Sequence, residues 1–205
     1  MAGDTYDVLV NDQRLVAIVA DVSGKGVGAG MIAAGIHASV RLLSETEATL
    51  AGVASRINRY LVGATEDNRF VTFAMVRLEV DGGFAALNAG HCPVLVRRRD
   101  GSVEQISSRG LPLGILADAG YPESTGRLEP GELMVLFTDG LTEAESPAEE
   151  EFGIQRVESV VAGLDSPSAE SACRDLLRAV DEHAGGQPLQ DDATLLVVER
   201  LAVTP

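Results

Sequence analysis

The stretch LVAIVADVSGKGVGAG, residues Leu15–Gly30, decides the fold predicted for this chain. Six apolar residues run directly into Asp21, and four of the seven positions from Gly24 to Gly30 are glycine. A continuous apolar run bounded by turn residues predicts a strand buried on both faces. Such a strand is a rigid platform for the side chain at its end, and glycine lets other groups approach that side chain closely. The stretch therefore predicts a carboxylate that a rigid strand carries out of the core.

Aspartates stand beside apolar runs at three further places in the chain. Asp139 follows LMVLFT, Asp191 and Asp192 precede ATLLVVER, and Asp4 and Asp7 precede VLV. If these strand ends converge, two carboxylates ~4 Å apart repel by roughly 4 kcal/mol at an effective dielectric of 20. A divalent cation relieves that repulsion, and an all-oxygen ligand set favours Mg²⁺ or Mn²⁺ over Zn²⁺. A single aspartate after a strand is also typical of a turn, so the prediction of a metal site depends on the combination.

The composition limits the class of protein. The chain has 205 residues, which favours one domain, and 31 Asp plus Glu against 16 Lys plus Arg give a net charge of −15. A negative field of this size repels nucleic acid and anionic lipid, so neither is expected as a partner. Two cysteines form no disulfide framework and favour a reducing cytoplasm. No apolar run reaches the ~20 residues of a membrane span, and MAGDTYD lacks the features of a signal peptide.

Strand and helix patterns are segregated along the chain. Apolar runs predict strands at Leu15–Ala20, Phe70–Val80, Phe84–Asn88, Val94–Arg98, Leu133–Thr138 and Ala193–Arg200. Apolar residues three or four apart, or small-residue start and stop signals, predict helices at about Val27–Ser44, Ala48–Gly63, Ile154–Ala162 and Ser168–Ala184. A run of strands between two pairs of helices favours an α+β layered fold over a doubly wound parallel sheet.

Two other patterns associated with phosphate chemistry are weaker than the aspartate set. His91, Cys92 and Arg98 have the H-C-x₅-R spacing of cysteine-dependent phosphatases, but the intervening residues contain no glycine and favour a strand over an anion-cradling loop. GKGVGAG fits neither the Walker spacing nor the dinucleotide-binding spacing. We therefore expect His91 and Cys92 in a turn that enters a strand, and Lys25 to be exposed.

Characteristic motifs run through nearly the whole chain in a fixed order. They are AGDTYD, ADVSGKGVGAGM, RFVTFAMVRLE, LNAGHCPVLVRR, GLPLGIL, LEPGELMVLFTDGLTEAES and QDDATLLVVER, between residues 2 and 200. With these motifs the chain resembles the SpoIIE/RsbU branch of the bacterial metal-dependent PPM (protein phosphatase 2C-like) serine/threonine phosphatases. The resemblance implies an α+β fold, a four-layer α/β/β/α sandwich of two antiparallel sheets flanked by helix pairs. It also implies that residues 1–205 form one phosphatase domain.

The same resemblance implies a site and a mechanism. Two Mn²⁺ or Mg²⁺ ions ~3.5–4 Å apart bridge and acidify a water that attacks phosphorus in line, so no protein nucleophile is needed. The ligands carried over by motif are Asp4, directly or through water, Asp21 as the bridging carboxylate, Val22 through its carbonyl, and Asp139 and Asp191 on the other metal. Asp191 is preferred to Asp192 because it is the first residue of the DDAT motif.

The partner implied by the resemblance is a phosphorylated STAS-type anti-anti-sigma protein, as substrate; a homodimer stays open. The chain departs from the family pattern at its start: Ala2 replaces the first glycine of Gly-Gly-Asp, and Met1 stands only three residues before Asp4. Two alternatives stay open: the chain is naturally minimal, or it is a fragment whose sheet lacks its N-terminal strand, which would leave an edge open to pairing with another chain. The alternative function is an inactive or partner-dependent PPM-like binding module in a sigma-factor partner-switching pathway.

Overall fold

The computed structural model describes residues 3–64, 69–165 and 167–202, which form two compact units. Unit 1 is Met1–Pro93 with Ile106–Arg127, and unit 2 is Val94–Gln105 with Leu128–Pro205. Each unit contains one antiparallel sheet with its own helices packed on it. The predicted α+β class with two antiparallel sheets is confirmed.

The strands and helices follow the predicted order. The strands are β1 (Asp4–Val10), β2 (Arg14–Val22), β3 (Val71–Glu79), β4 (Gly83–Ala89), β5 (Val94–Arg97), β6 (Val103–Ile106), β7 (Glu123–Arg127), β8 (Leu133–Phe137) and β9 (Leu195–Glu199). The helices are α1 (Val27–Thr46), α2 (Leu50–Ala64), α3 (Asp139–Thr142), α4 (Gly153–Ala162) and α5 (Ala169–Ala184). The sheet of unit 1 has the order β1-β2-β3-β4-β7, and that of unit 2 the order β6-β5-β8-β9.

Four of these elements, β1, β6, β7 and α3, were not predicted from the sequence. Strands β6 and β7 are the outermost strands of their sheets, and their sequences, VEQI and ESTGR, contain no fully buried residue. An edge strand can be polar on both faces, so it shows no alternation of apolar and polar residues. Helix α3 is a single turn of four residues, too short to show a helical period.

Strand β2 lies in the interior of unit 1. It pairs with β1 on one side and β3 on the other, and Ala17 to Ala20 are fully buried. The alternate residues of β2 from Val16 to Val22 pack in one core cluster with both helices of the unit. The helices contribute Ala29, Ala33, Ile36 and Val40 from α1, and Leu50, Val53, Ala54, Ile57 and Leu61 from α2. Burial of each larger aliphatic side chain stabilises the fold by about 1.5–3 kcal/mol, so the opening apolar run anchors the unit.

Helix α1 is long and apolar enough to cross a membrane if length and composition alone are considered. This differs from the sequence expectation, which considered only continuous apolar runs. One such helix near the N-terminus carries little weight, because core helices pass the same test. In this chain α1 packs against β1, β2 and α2.

Unit 2 has a fully buried central strand and helices with defined ends. All five residues of β8 are buried. Ser168 and Ser171 form a capping box at the start of α5, and Gly185 in the left-handed conformation ends that helix. The guanidinium of Arg97, itself buried, donates to the carbonyls of Val161 (2.8 Å) and Leu164 (2.9 Å) at the end of α4. The predicted start and stop signals of α5 are therefore confirmed.

The side chain of Asn58 joins α2 to the loop that precedes β7. It is fully buried; its Nδ2 donates to the carbonyls of Leu116 (2.8 Å) and Ala117 (3.1 Å), and its Oδ1 accepts from the amide of Gly114 (2.8 Å). The same loop pairs with the first residue of β3, because Val71 and Leu113 exchange two backbone hydrogen bonds of 2.8 Å. Asn58 therefore holds the loop in place beside the strand end that carries the site.

We expect Asn58→Asp to lower the free energy of unfolding by about 2–4 kcal/mol. The second carboxylate oxygen would take the place of Nδ2, so a buried negative charge would face two carbonyl oxygens where the amide had donated to both. The matched control is Asn11→Asp: the exposed Oδ1 of Asn11 only accepts, from the amides of Gln13 and Arg14, as a carboxylate also does. Urea denaturation at pH 7 measures both. Equal losses for the two variants would contradict the role given to Asn58.

Candidate active site

In unit 1 the structure brings two of the predicted ligands face to face. Strand β1 begins at Asp4 and β2 ends at Val22, and the antiparallel register places Asp4 directly opposite Asp21. Directly paired residues have their side chains on the same face of the sheet, with Cβ atoms ~4.5–5.5 Å apart. Like charges at such positions destabilise a sheet. A cation bound by both carboxylates would replace their mutual repulsion with an attraction of each carboxylate to the cation.

Gly3 leaves the space beside Asp21 open. A Cβ atom at Gly3 would lie 2.6 Å from the carbonyl oxygen of Val22 and 2.8 Å from Oδ1 of Asp21. Both distances are shorter than a non-bonded contact allows, so only glycine fits while the amide of Val22 donates to the carbonyl of Gly3 (3.1 Å). The two oxygen atoms converge on one small space, which is the arrangement that a hard cation requires of its ligands.

The glycine-rich turn after Asp21 carries the chain from β2 into α1. The amide of Ser23 donates to the carbonyl of Phe70 (2.9 Å), and the amide of Phe70 donates back to Oγ of Ser23 (2.8 Å). Gly24 and Gly26 then adopt φ angles of 87° and 95°, which L-residues with side chains rarely adopt. The turn can therefore be short and leave the end of β2 uncovered.

Asp7 is not at the strand end, which corrects the expectation that grouped it with Asp4. It lies inside β1, is 6% exposed and faces α1. Its carboxylate accepts from Nε (2.8 Å) and Nη2 (2.7 Å) of Arg41, and Nδ1 of His37 lies 3.4 Å away. Because side chains alternate along a strand, Asp7 anchors α1 instead of sharing a pocket with Asp4.

In unit 2, Asp191 lines an acidic cavity, and Asp139 directly precedes Gly140, which lines it as well. Asp139 is the first residue of α3, and the cavity of about 210 Å³ contains Asp191 in its wall. The lining residues are Gly140, Glu143, Ala144, Glu145, Glu151, Gln190 and Asp191. The negative charges of Asp139 and Asp191 both raise the pKa of the Glu143 carboxyl, so both carboxylates lie within electrostatic range of this cavity residue.

Gly140 explains how the two distant segments meet. A Cβ atom at this position would overlap the carbonyl oxygen of Asp192 and would lie 3.3 Å from Cα of Ala193. The chain after Asp191 therefore crosses directly over the start of α3, and the amide of Thr194 donates to Oγ1 of Thr138 (2.9 Å). Asp192 faces Gly140 with its backbone and donates its amide to Oδ1 of Asp191 (2.9 Å).

Glu143 is a site residue to which the sequence motifs assigned no role. The pKa of its carboxyl is raised above the ordinary value of 4.5, first by partial desolvation and then by the negative charges of Asp139, Glu151 and Asp191. A signal was available: Glu143 follows Asp139 by four residues, so one helical turn returns it to the same side. Its amide donates to the carbonyl of Asp139 (2.8 Å).

The pattern of His91 and Cys92 does not form an anion-binding loop. The amide of His91 donates to Oδ1 of Asn88 (2.9 Å), Nδ2 of Asn88 donates to the carbonyl of Cys92 (2.8 Å), and Nδ1 of His91 lies 2.7 Å from Oγ1 of Thr72. The residues that follow are strand β5, whereas an anion-cradling loop leads into a helix. The predicted turn entering a strand is what the structure shows.

The donor set is compatible with divalent cations. Within residues 3–64, 69–165 and 167–202 no three His, Cys, Asp or Glu side chains are arranged around one point that could hold a metal. The predicted ligands are divided between the units. In unit 1 Asp4 and Asp21 are paired across two strands, and in unit 2 the charges of Asp139 and Asp191 both act on Glu143. All donors are oxygen, and Gly3 leaves room beside Asp21, so the residues fit Mg²⁺ or Mn²⁺ by ligand chemistry.

Comparison with known proteins assigns the family. The model of the Stage II sporulation protein E (SpoIIE) family matches residues 11–201. The chain belongs to the SpoIIE family. The match covers both units and every predicted site residue except Asp4, and it confirms the family indicated by the sequence motifs.

Two curated relatives of this SpoIIE-family chain match almost all of it. Phosphoserine phosphatase RsbU of Bacillus subtilis is 28% identical over 205 residues, which cover 98% of this chain and 60% of that protein. Protein IcfG of a Synechocystis strain is 27% identical over 233 residues, which cover 98% of this chain and 36% of that protein. The chain therefore spans about one third to three fifths of the length of these relatives.

Solved structures share the fold of the SpoIIE-family chain. The RsbU and RsbW domains of a Mycobacterium tuberculosis protein match with a TM-score of 0.80 and 26% identity, covering 100% of this chain and 57% of that chain. The PP2C phosphatase domain of SpoIIE from Bacillus subtilis, with a fragment of its regulatory domain, matches with a TM-score of 0.85 and 22% identity. The match covers 99% of this chain and 60% of that chain. The chain is therefore a member of the SpoIIE family with the fold of solved PP2C phosphatase domains.

We expect Gly140→Ala to destabilise the SpoIIE-family chain by about 1–3 kcal/mol, because the added Cβ must displace the backbone of Asp192. Gly30→Ala is the matched control: nothing lies within 4 Å of a Cβ there, and the position is helical. It should raise stability by about 0.5–1 kcal/mol. Thermal and urea unfolding measure both. A neutral Gly140→Ala would show that the segment after Asp191 is not held against α3.

We expect Glu143→Gln to stabilise the chain more at pH 7 than at pH 4 in the presence of EDTA. A carboxyl whose folded pKa is raised binds its proton more tightly in the folded state, so the wild type loses stability as pH rises from 4.5 through that raised pKa. The glutamine cannot ionise and keeps that stability. Glu158→Gln is the control: Glu158 lies half-buried on α4 and accepts a hydrogen bond from Nε2 of Gln105 (2.7 Å), which a glutamine oxygen can also accept. A gain independent of pH would contradict the electrostatic cause.

Proposed function

We propose that this chain is a metal-dependent protein-serine/threonine phosphatase that hydrolyses phosphoserine or phosphothreonine on a regulatory protein. The observation that carries the proposal is the cradle at the end of β2: Asp4 opposite Asp21, with the Val22 carbonyl and the Asp21 carboxylate left open by Gly3. The family match and the relative named phosphoserine phosphatase support the same reaction.

Each group of oxygen ligands has a role in the proposal. Asp4, Asp21 and the carbonyl of Val22 hold one cation, with Asp21 shared, and Asp139 and Asp191 hold the other. When bound, Mg²⁺ or Mn²⁺ lowers the pKa of a water and neutralises charge on the phosphoryl oxygens. One structural relative, RsbX, has been solved in complex with magnesium. With a net charge of −15, the chain itself would repel a phosphoryl dianion, so bound cations supply the attraction that the protein lacks.

The substrate proposed is a phosphorylated STAS-type anti-anti-sigma protein. The support is the family resemblance and the relatives named RsbU, one of which occurs in one protein together with an RsbW domain. We place the activity in the cytoplasm, where Cys92 and Cys173, which form no disulfide in the part of the chain that the structure describes, stay reduced.

The alternative proposal is a binding module that needs a partner to complete its site. It is favoured by the fact that, in the part of the chain that the structure describes, no three ligand-type side chains surround one point. In this alternative a partner or a cation would have to bring the acidic groups into a working arrangement before hydrolysis begins.

The test is hydrolysis of p-nitrophenyl phosphate and of a serine-phosphorylated STAS protein, with Mn²⁺, with EDTA and after thiol alkylation. We expect activity with Mn²⁺, loss with EDTA and no effect of alkylation. Asp139→Asn and Asp191→Asn should each lower kcat by ~100-fold or more, since each removes a ligand of the charge-stabilising cation. Asp192→Asn is the control and should keep most activity, because Asp192 contacts Gly140 through its backbone.

A second readout does not depend on turnover. Mn²⁺ should raise the melting temperature of the wild type, and Asp139→Asn should reduce that shift, because binding to the folded state stabilises it by mass action. Retention of full activity in EDTA would contradict the proposal. A metal-dependent shift without turnover would favour the partner-dependent module, and loss on alkylation alone would favour Cys92.

A further inference from the structure

Arg69 lies at the same strand end as Asp21. Val71 pairs with Val22, and the backbones of Phe70 and Ser23 are hydrogen-bonded beyond that pair. Arg69 therefore comes one step further along the ladder, past the end of the sheet where the Asp21 carboxylate stands. It is a cation beside the open end of β2, in a chain with only 16 Lys plus Arg against 31 Asp plus Glu.

The guanidinium of Arg69 rests against the first turn of α1. A Cβ atom at Gly28 would lie 3.1 Å from Nη2, 3.2 Å from Cζ and 3.2 Å from Nη1 of Arg69. Three atoms of the planar group are thus equally close to one backbone position, so the plane lies flat on the helix. A side chain at Gly28 would require the guanidinium to shift by a few tenths of an ångström, so glycine at this position of α1 lets Arg69 lie closer to the helix.

One arm of this guanidinium is buried without a hydrogen bond. Nη1 of Arg69 is inaccessible to solvent, and among the described residues it has no partner. Leaving a buried donor unpaired costs about 1–3 kcal/mol, and more for a charged group. By contrast, the buried Arg97 donates to two carbonyls. The orientation of Arg69 is therefore set by packing, and no described residue satisfies its Nη1 donor.

We propose that Arg69 binds the phosphoryl group of the substrate, and inorganic phosphate as product, beside Asp21. This inference rests on the proposed phosphatase function. The fork of a guanidinium matches the oxygens of a phosphoryl group and binds them more strongly than a neutral donor does. The first turn of α1 has no side-chain cap, so its positive end adds to the attraction for the same anion.

The experiment compares Arg69→Ala, Arg69→Lys and Gly28→Ala with the wild type and with Arg59→Ala, an exposed arginine whose Nε donates to the carbonyl of Ser55 in its own helix. Kinetics with p-nitrophenyl phosphate and with the serine-phosphorylated STAS protein give kcat and KM. Calorimetry with inorganic phosphate in Mg²⁺ gives an affinity that requires no turnover.

We expect Arg69→Ala to weaken phosphate binding and raise KM by ~10–100-fold, as loss of a charge-assisted hydrogen bond implies. Arg69→Lys should recover part of the affinity, because it keeps the charge but not the fork. Gly28→Ala should weaken binding in the same direction while leaving α1 at least as stable, since alanine favours a helix. Arg59→Ala should match the wild type.

The outcomes separate this proposal from the phosphatase function. A wild type that binds phosphate without turning over substrate, and loses that binding in Arg69→Ala, contradicts the phosphatase function but supports the Arg69 site. Unchanged phosphate affinity and KM in both Arg69→Ala and Gly28→Ala would overturn the Arg69 site while turnover stands. A wild type with no affinity for phosphate overturns it as well. If Arg69→Ala does not fold, the phosphate affinity and KM of Arg69→Lys and Gly28→Ala test the Arg69 site instead.

Discussion

The site in unit 1 depends on the position of strand β2. The strand is hydrogen-bonded on both sides and buried along its length, so Asp21 at its end cannot move away from Asp4 across the ladder. Two carboxylates in register on one sheet repel each other, and the repulsion grows as the surroundings become less polar. The sheet therefore maintains an unfavourable arrangement that a divalent cation would turn into a favourable one.

Glycine creates the access that this arrangement needs, and it does so in two different ways. Gly24 and Gly26 supply positive φ angles that keep the turn after β2 short. Gly3, Gly28 and Gly140 do not have positive φ angles. At each of them another group lies closer to the position of a Cβ atom than an ordinary contact allows. At Gly3 that group is the pair of oxygens beside Asp21, so the missing side chain leaves them exposed to a ligand. Composition alone does not distinguish the two uses.

Much of the fold was predictable because its main elements bury one face. The six strands and four helices expected from apolar patterns are all present, with ends shifted by a few residues. Strands β6 and β7 were missed because their sequences carry no apolar face, and β1 was not predicted as a strand. Asp7 was assigned to the wrong surroundings because its partners, Arg41 and His37, lie some thirty residues away on α1. The assignment of metal ligands stays a prediction.

The sequence by itself determined the family, the α+β class and the four acidic segments, because motif order and hydrophobic period are properties of neighbouring residues. Only the tertiary structure decided that Asp4 faces Asp21, that Glu143 shares the surroundings of Asp139, and that the Arg69 guanidinium lies on Gly28 with an unpaired donor. These relations join segments far apart in the chain. They arise from strand register and close packing, which no local pattern of residues records.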